Sequence, residues 1–283
     1  MKNRWLINLV LVAVIASLAA LVITKPGKKE EPVAPPLTPL KANDITRIQL
    51  DRPTRKSLLL IKVEKQWQLS RPIKARANRF NVSNLLRLAE TKSEASFPAD
   101  PAELEKYGLK KPQVKLLLNK TELQFGNKHP LKSSRYVLFD NKVYLVPAHL
   151  LRMTKNPYTD FISGRLLEGS RPLKAIKFSK LKLTKKESGW SMTPEDKNLS
   201  ADDINDYIEE WKHANALSVD RYSGKPVLET VHLEFVGANN KEESLNLGIL
   251  AYAPEFILYR RDENLEYRFP EETGKRLLKP VSK

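Results

Sequence analysis

Four histidines, adjacent acids such as Asp202-Asp203 and Glu209-Glu210, and one dense run of cations are the residues of this 283-residue chain whose types could carry chemistry. A local metal site needs two ligands at helical or hairpin spacing, and none of His129, His149, His213 and His232 stands so to another. His232 sits in "TVHLEF", where Val231, Leu233 and Phe235 point to one side of a strand and the histidine to the other, the pattern of a surface side chain. Asp202-Asp203 and Glu209-Glu210 belong to an amphipathic segment, where helix-end charge and a solvated face account for them. Nucleophile elbows, phosphate loops and dinucleotide glycine patterns are absent from a chain with only ten glycines. No catalytic, cofactor-binding or metal-binding residue is assigned on this reading, no cofactor is expected, and the chain reads as a non-enzyme.

The cations are different. "RPIKARANR" holds Arg71, Lys74, Arg76 and Arg79 just ahead of a helix start, where free backbone amides also attract anions. These four are the candidate contacts for an anion or a partner protein. Residues 42–164 carry 23 Lys+Arg against 11 Asp+Glu, a net +12, whereas residues 165–283 carry 20 of each. The folded excess behind the overall +16 therefore belongs to the first half, where a basic face suits anionic lipid headgroups or an acidic protein surface. A pI near 9.8 also raises nucleic acid as a ligand. The basic stretch lacks the interleaved aromatics that stack bases, and the location argued below keeps the domain from nucleic acid, so none is expected.

The elements that position these residues are written twice. Val82, Leu85, Leu86 and Ala89 follow the i, i+3, i+4, i+7 spacing of a buried helical stripe, and Ile204, Tyr207, Ile208 and Trp211 repeat it 122 residues later. Asn78 and Ser200, also 122 apart, are residue types that cap helix starts. Trp67 and Trp190 stand at nearly the same offset, as do "ELQFG" ending at Gly126 and "SLNLG" ending at Gly248. "RYVLFDNKVYLV" and "FILYRRDENLEYRF" each read as two alternating strands about a polar turn. In each unit two opening strands ("ITRIQL", "SLLLIKVE"; "AIKF", "LKLTKK") and a short Trp strand precede the helix, and about four hairpin strands follow. The fold class is α+β, two tandem repeats, each an antiparallel sheet with one main helix. Trp67 and Trp190 are expected as core plugs between helix and sheet. Only the first unit inserts "PADPAELEKYGLKKP", read as a short helix from about Pro101 to a left-handed cap at Gly108.

Ahead of the repeats, the chain has no charge from Trp5 through Thr24. As a helix, Leu6 to Ile23 covers roughly 27 Å, near the thickness of a bilayer's hydrocarbon core. A cleaved secretory signal, with small residues at Ser17-Leu18-Ala19, is the rival, but this apolar run exceeds the usual length of about 7–15 residues. An uncleaved transmembrane anchor is preferred. Prolines at 26, 32, 35, 36 and 39 then favour an extended stalk. The organisation is 1–24 signal anchor, 25–41 Pro-rich linker, 42–164 first repeat and 165–283 second repeat. Lys2 and Arg4 balance Lys25, Lys28 and Lys29, so orientation rests on a short N-terminal segment before a large domain, which places that domain outside. The expected location is single-pass in the inner membrane with the folded part periplasmic. The absence of cysteine removes disulfides, thiolate metal sites and a cysteine nucleophile.

"EKYGLKKPQVKLLL" with the following "LQFG", the "QWQLSRP" turn and the anchored, duplicated layout resemble the bacterial family known as domain of unknown function 4340, over roughly residues 45–270. The resemblance implies one N-terminal membrane segment, association with exporter-type ABC transport systems of the gliding-motility kind, and no established activity or catalytic residue. The chain is thus expected to be a non-catalytic accessory or scaffold protein of an ABC-type transport complex in the envelope. Its expected partners are membrane lipid through the anchor and a protein of that complex. The alternative is an independent envelope module that binds anionic lipid or polymer, with a hydrolase behind both.

Overall fold

Alternating apolar residues build two antiparallel sheets, one per unit. The computed structural model describes residues 3–23, 36–168, 172–237 and 242–282. Helix α1 (Asn3–Ile23) comes first, with Trp5 and the Asn8–Ala20 stretch exposed. No helix among the described residues is long and apolar enough to cross a membrane. Most of the linker, residues 25–35, lies outside the described residues, as do Lys2, Lys25, Lys28 and Lys29. The last part of the stretch read as stalk is packed: Leu37 is buried and donates its N–H to Thr91 O at 2.6 Å, and Thr38 donates both N–H and Oγ1–H to Ala89 O.

The first unit runs β1 (Arg47–Arg52), β2 (Arg55–Val63), β3 (Gln66–Arg71), β4 (Ala75–Arg76), α2 (Arg79–Leu86), β5 (Ala95–Pro98), β6 (Val114–Leu118), β7 (Thr121–Lys128), β8 (Ser134–Phe139) and β9 (Lys142–Pro147). Two 3-10 helices follow, at Ala148–Lys155 and Tyr158–Phe161. The second unit runs β10 (Leu173–Lys177), β11 (Lys182–Lys186), β12 (Gly189–Thr193), α3 (Ala201–His213), β13 (Ser218–Arg221), β14 (Glu229–Val236), β15 (Glu242–Ala251), β16 (Glu255–Arg260), β17 (Leu265–Pro270) and α4 (Glu271–Leu278).

The sheet orders are β4-β3-β2-β1-β6-β7-β8-β9-β5 and β12-β11-β10-β14-β15-β16-β17-β13. Strand for strand they coincide, with β4 the only addition. Register explains the burial. Ile48 pairs with Leu60 and Leu118, and Leu50 with Leu58 and Leu116, so these side chains share one face, where all are fully buried. Ile176, paired with Leu183 and Leu233, does the same in the second sheet. Helices α2 and α3 belong to one continuous apolar cluster that extends through both units.

Local chemistry starts α2 and α3 as the sequence leads one to expect. Asn78 accepts from the N–H groups of Phe80 and Asn81, and Ser200 and Asp203 form a reciprocal capping box. The β8–β9 turn holds Asp140 and Asn141 at φ 44° and 55°, the paired positive angles of a tight hairpin.

Three expectations need correction. Residues 101–108 form a run of turns, not a helix, although Gly108 does adopt φ +67°. Five strands, not four, follow α2 and α3 in their units, the short edge strands β5 and β13 having no strong alternation of their own. Trp67 and Trp190 are only half-buried against the core, because both lie on strands near a sheet edge; the fully buried indole is Trp211. Its Nε1–H and the Tyr207 hydroxyl both donate to Leu277 O, at 3.0 and 2.9 Å, which ties α3 to α4.

Candidate functional site

The run that follows β3 folds back on the sheet. Ala75 and Ala77 are small enough to be buried, and Leu69 pairs with Ala75 and Gln68 with Arg76. Ala77 then donates its N–H to Trp67 O at 3.0 Å, and Asn78 caps α2. The capping carboxamide and Phe161 O take up amides at this helix start, so it does not offer them to an outside anion.

A connector passes between the units at this point. Asn78 N donates to Phe161 O and Ser163 N to Arg76 O, both at 2.8 Å, on the first-unit side. On the other side Leu166 N donates to Ala214 O at 2.9 Å and Ala216 N to Gly164 O at 2.8 Å. A Cβ on Gly164 would stand 3.0 Å from both Ala216 O and Asn215 Oδ1, so a larger residue here would press on the connector's neighbours.

Between Trp67, the α2 start and the connector lies a cavity of about 600 Å³, lined by Trp67, Arg76, Arg79, Phe80, Arg165 and Glu168, with Gln66, Asn78, Ser163 and Asn215 among its polar walls. The four cations read from the sequence separate here. Arg71 and Lys74 are exposed and do not line the cavity, whereas Arg76 and Arg79 do. Arg165, remote in sequence, joins them.

Arg76 is a clamp. Its guanidinium pairs with Glu263 of the β16–β17 turn and donates to Tyr267 Oη at 2.8 Å and Arg165 O at 2.7 Å. Burial alone would lower its pKa, but Tyr267 and Glu263 together hold it above the ordinary arginine value. Burial first, and Glu263 in addition, push Tyr267 up as well, so its hydroxyl stays protonated and donates to Glu263. Arg260 completes the cluster, 3.7 Å from Glu263 and donating to Leu166 O at 2.7 Å. Arg79 and Arg165 are exposed and form no ion pair among the described residues.

The cavity thus presents two guanidiniums that form no ion pair among the described residues, beside an indole and a phenyl ring and with Glu168 on the same wall; Phe80 is 70% exposed. That set suits a carboxylate- or phosphate-bearing ligand, since guanidinium forks match such anions and stack on aromatic faces. No histidine lines it. Among the described residues no three metal-ligating side chains cluster.

A second cavity, about 560 Å³, is lined by Lys177, Ser179, Glu229, His232 and Tyr252. Its carboxylate is fully engaged: Glu229 accepts from Ser179 Oγ and N and from Tyr252 Oη, and the Ser179 hydroxyl above all holds it below its ordinary pKa. His232 Nδ1 meets Asn246 Oδ1 at 2.6 Å, the role of a satisfied half-exposed side chain.

Arg165 escaped the sequence reading because it lies 86 residues beyond Arg79 and inside no local cluster of charge. No curated protein and no solved structure matches the chain. Residues 67–247, more than half of the 283, match the family described as a domain of unknown function, DUF4340, and the chain belongs to that family.

Proposed function

We propose that this protein is a membrane-anchored accessory or scaffold component of the cell envelope, an auxiliary part of an ABC-type transport complex that works by binding. The observation that carries this reading is the cleft at the joint of the units, where Arg79 and Arg165, in no ion pair among the described residues, stand beside Trp67 and Phe80. Desolvated arginine and aromatic side chains are the residues that anchor protein interfaces. The anchor is argued from the sequence alone, in which the chain is uncharged from Trp5 to Thr24. The periplasmic location and the transporter partner follow from that topology and from the family resemblance.

A second reading has the same cleft bind an anionic lipid or polymer without a transporter. Crosslinking in intact cells, followed by detergent co-purification, separates the two. A transporter permease captured by the native chain and lost with Arg79→Glu/Arg165→Glu is the expected result. Retention of lipid or glycan without permease favours the second reading. Cleavage of ester, peptide or glycoside substrates by the purified chain overturns both.

A further inference from the structure

The units have the same strand order, yet one sheet edge is closed and its counterpart is open. In the first unit β4 pairs with β3, and Trp67 turns its carbonyl outward to the Ala77 N–H. In the second unit β12 ends its sheet, and no described strand pairs with its outer edge. The registers correspond: Lys62 faces Trp67 across β2–β3, and Lys185 faces Trp190 across β11–β12. Trp190 and, two residues on, Met192 therefore direct backbone N–H and C=O groups out of the sheet, as Trp67 does.

The loops that decide this have equal length, residues 72–77 and 194–199. "PIKARA" returns to the sheet because its alanines are buried and Arg76 is held across the joint. "PEDKNL" turns on itself instead: Asp196 Oδ1 accepts from Asn198 N at 3.0 Å and Asp196 O from Leu199 N at 3.2 Å. Its acidic and basic side chains stay exposed, and none can fill the place of buried Ala75.

We propose that the outer edge of β12 is a strand-addition site for an acidic extended segment of a partner protein. Exposed edges with unpaired backbone groups are templates for such pairing. Charge identifies the occupant. Lys182, Lys185 and Lys186 on the neighbouring strand are exposed and form no ion pair among the described residues. The acids nearest in sequence, Glu187 in the turn and Glu195-Asp196 after Pro194, lie beyond the ends of β12. Lys182 and Lys186 share the sheet face of Ser191, while Leu183 pairs with Met192 on the core side. The partner segment accordingly places an acidic side chain opposite Ser191, where the first unit has Arg76, and a small apolar one opposite Met192, where it has Ala75. A second copy of this chain is disfavoured, because pairing β12 with β12 gathers two lysine rows on one assembly.

The test is backbone amide exchange of the full chain in detergent, with a short synthetic peptide alternating glutamate and valine, and with its lysine-for-glutamate counterpart. The glutamate peptide is expected to slow exchange at Trp190 and Met192 by at least about tenfold. The lysine peptide leaves exchange unchanged, and Lys182→Glu/Lys186→Glu, shown folded by an unaltered spectrum elsewhere, loses the protection. Arg79→Glu/Arg165→Glu retains it, which separates this edge from the cleft. No slowing at saturating glutamate peptide, equal slowing by both peptides, or protection that grows with protein concentration alone would each overturn the assignment.

Discussion

Residues 72–77 and 194–199 occupy the same place in two units of the same strand order, and they end in different structures. The first adds a strand and binds the connector; the second turns back on Asp196 and leaves β12 bare. Equal length and equal flanking elements do not decide the fold of a loop. What decides it is whether its side chains can be buried and whether a distant group holds them, here two alanines and Glu263. A parallel difference lies under the helices. Trp211 fills the second unit at the position where the first has Ala89, and the first is covered there by Thr38 from the lead-in segment.

The largest effect that would break this comparison is expected at Trp211. Trp211→Ala should cost about 3–5 kcal/mol in a denaturant melt, from the lost indole and the cavity left behind. Trp190→Ala, half-buried, should cost about 1–2 kcal/mol. A Trp190 loss as large as that of Trp211 would restore the edge tryptophans as the core plugs. Next is Glu263→Ala, which leaves the Arg76 and Arg260 guanidiniums facing each other without their shared carboxylate. It should cost about 2–3 kcal/mol and loosen the joint, read as faster exchange at Ser163 and Leu166. Unchanged exchange there would mean that the connector holds without the clamp.

Replacing residues 194–199 with the sequence of 72–77 sharpens the comparison at a smaller scale. The Arg76 equivalent has no Glu263 to reach, so the graft is expected to close the β12 edge only in part, with exchange at Trp190 slowed less than tenfold. Complete closure would show that the buried alanines alone suffice. The smallest effect is one of pH. Glu209, Glu229 and Glu234 of the second unit have pKa values held below the ordinary 4.5, chiefly by Lys212, Ser179 and Lys177 respectively. Their stabilisation is present above pH 4.5 and is lost as pH falls through the lowered values. In the first unit Asp160 shifts the other way, raised by burial from 3.8. Acid should therefore open the second unit before the first in exchange measurements as the pH is taken below 4.5. The reverse order would remove these carboxylates from the account.

Much of this was legible because it is local. A cap residue and the stripe behind it lie within one or two turns of helix, so Asn78 with Val82 and Leu85, and Ser200 with Tyr207, Ile208 and Trp211, could be read directly. The long hairpins announce themselves through alternation and polar turns. Short pieces do not: β4 spans two residues, and β5 and β13 four each, too few for a period. The candidate cleft was half visible. Arg76 and Arg79 stood in a basic run, but the same run held Arg71 and Lys74, which the fold turns elsewhere, and nothing near them in sequence pointed to Arg165.

By itself the sequence determined the α+β class, the doubling at an offset of 122, the helix starts and the charge split between the halves, since each depends on composition or on residues within a few positions of one another. Tertiary structure alone decided that Arg76 serves as a clamp while Arg79 and Arg165 stay open, and that β3 is covered while β12 is not. Those outcomes depend on partners as far off as Glu263, 187 residues away, and only folding brings such groups within hydrogen-bond reach.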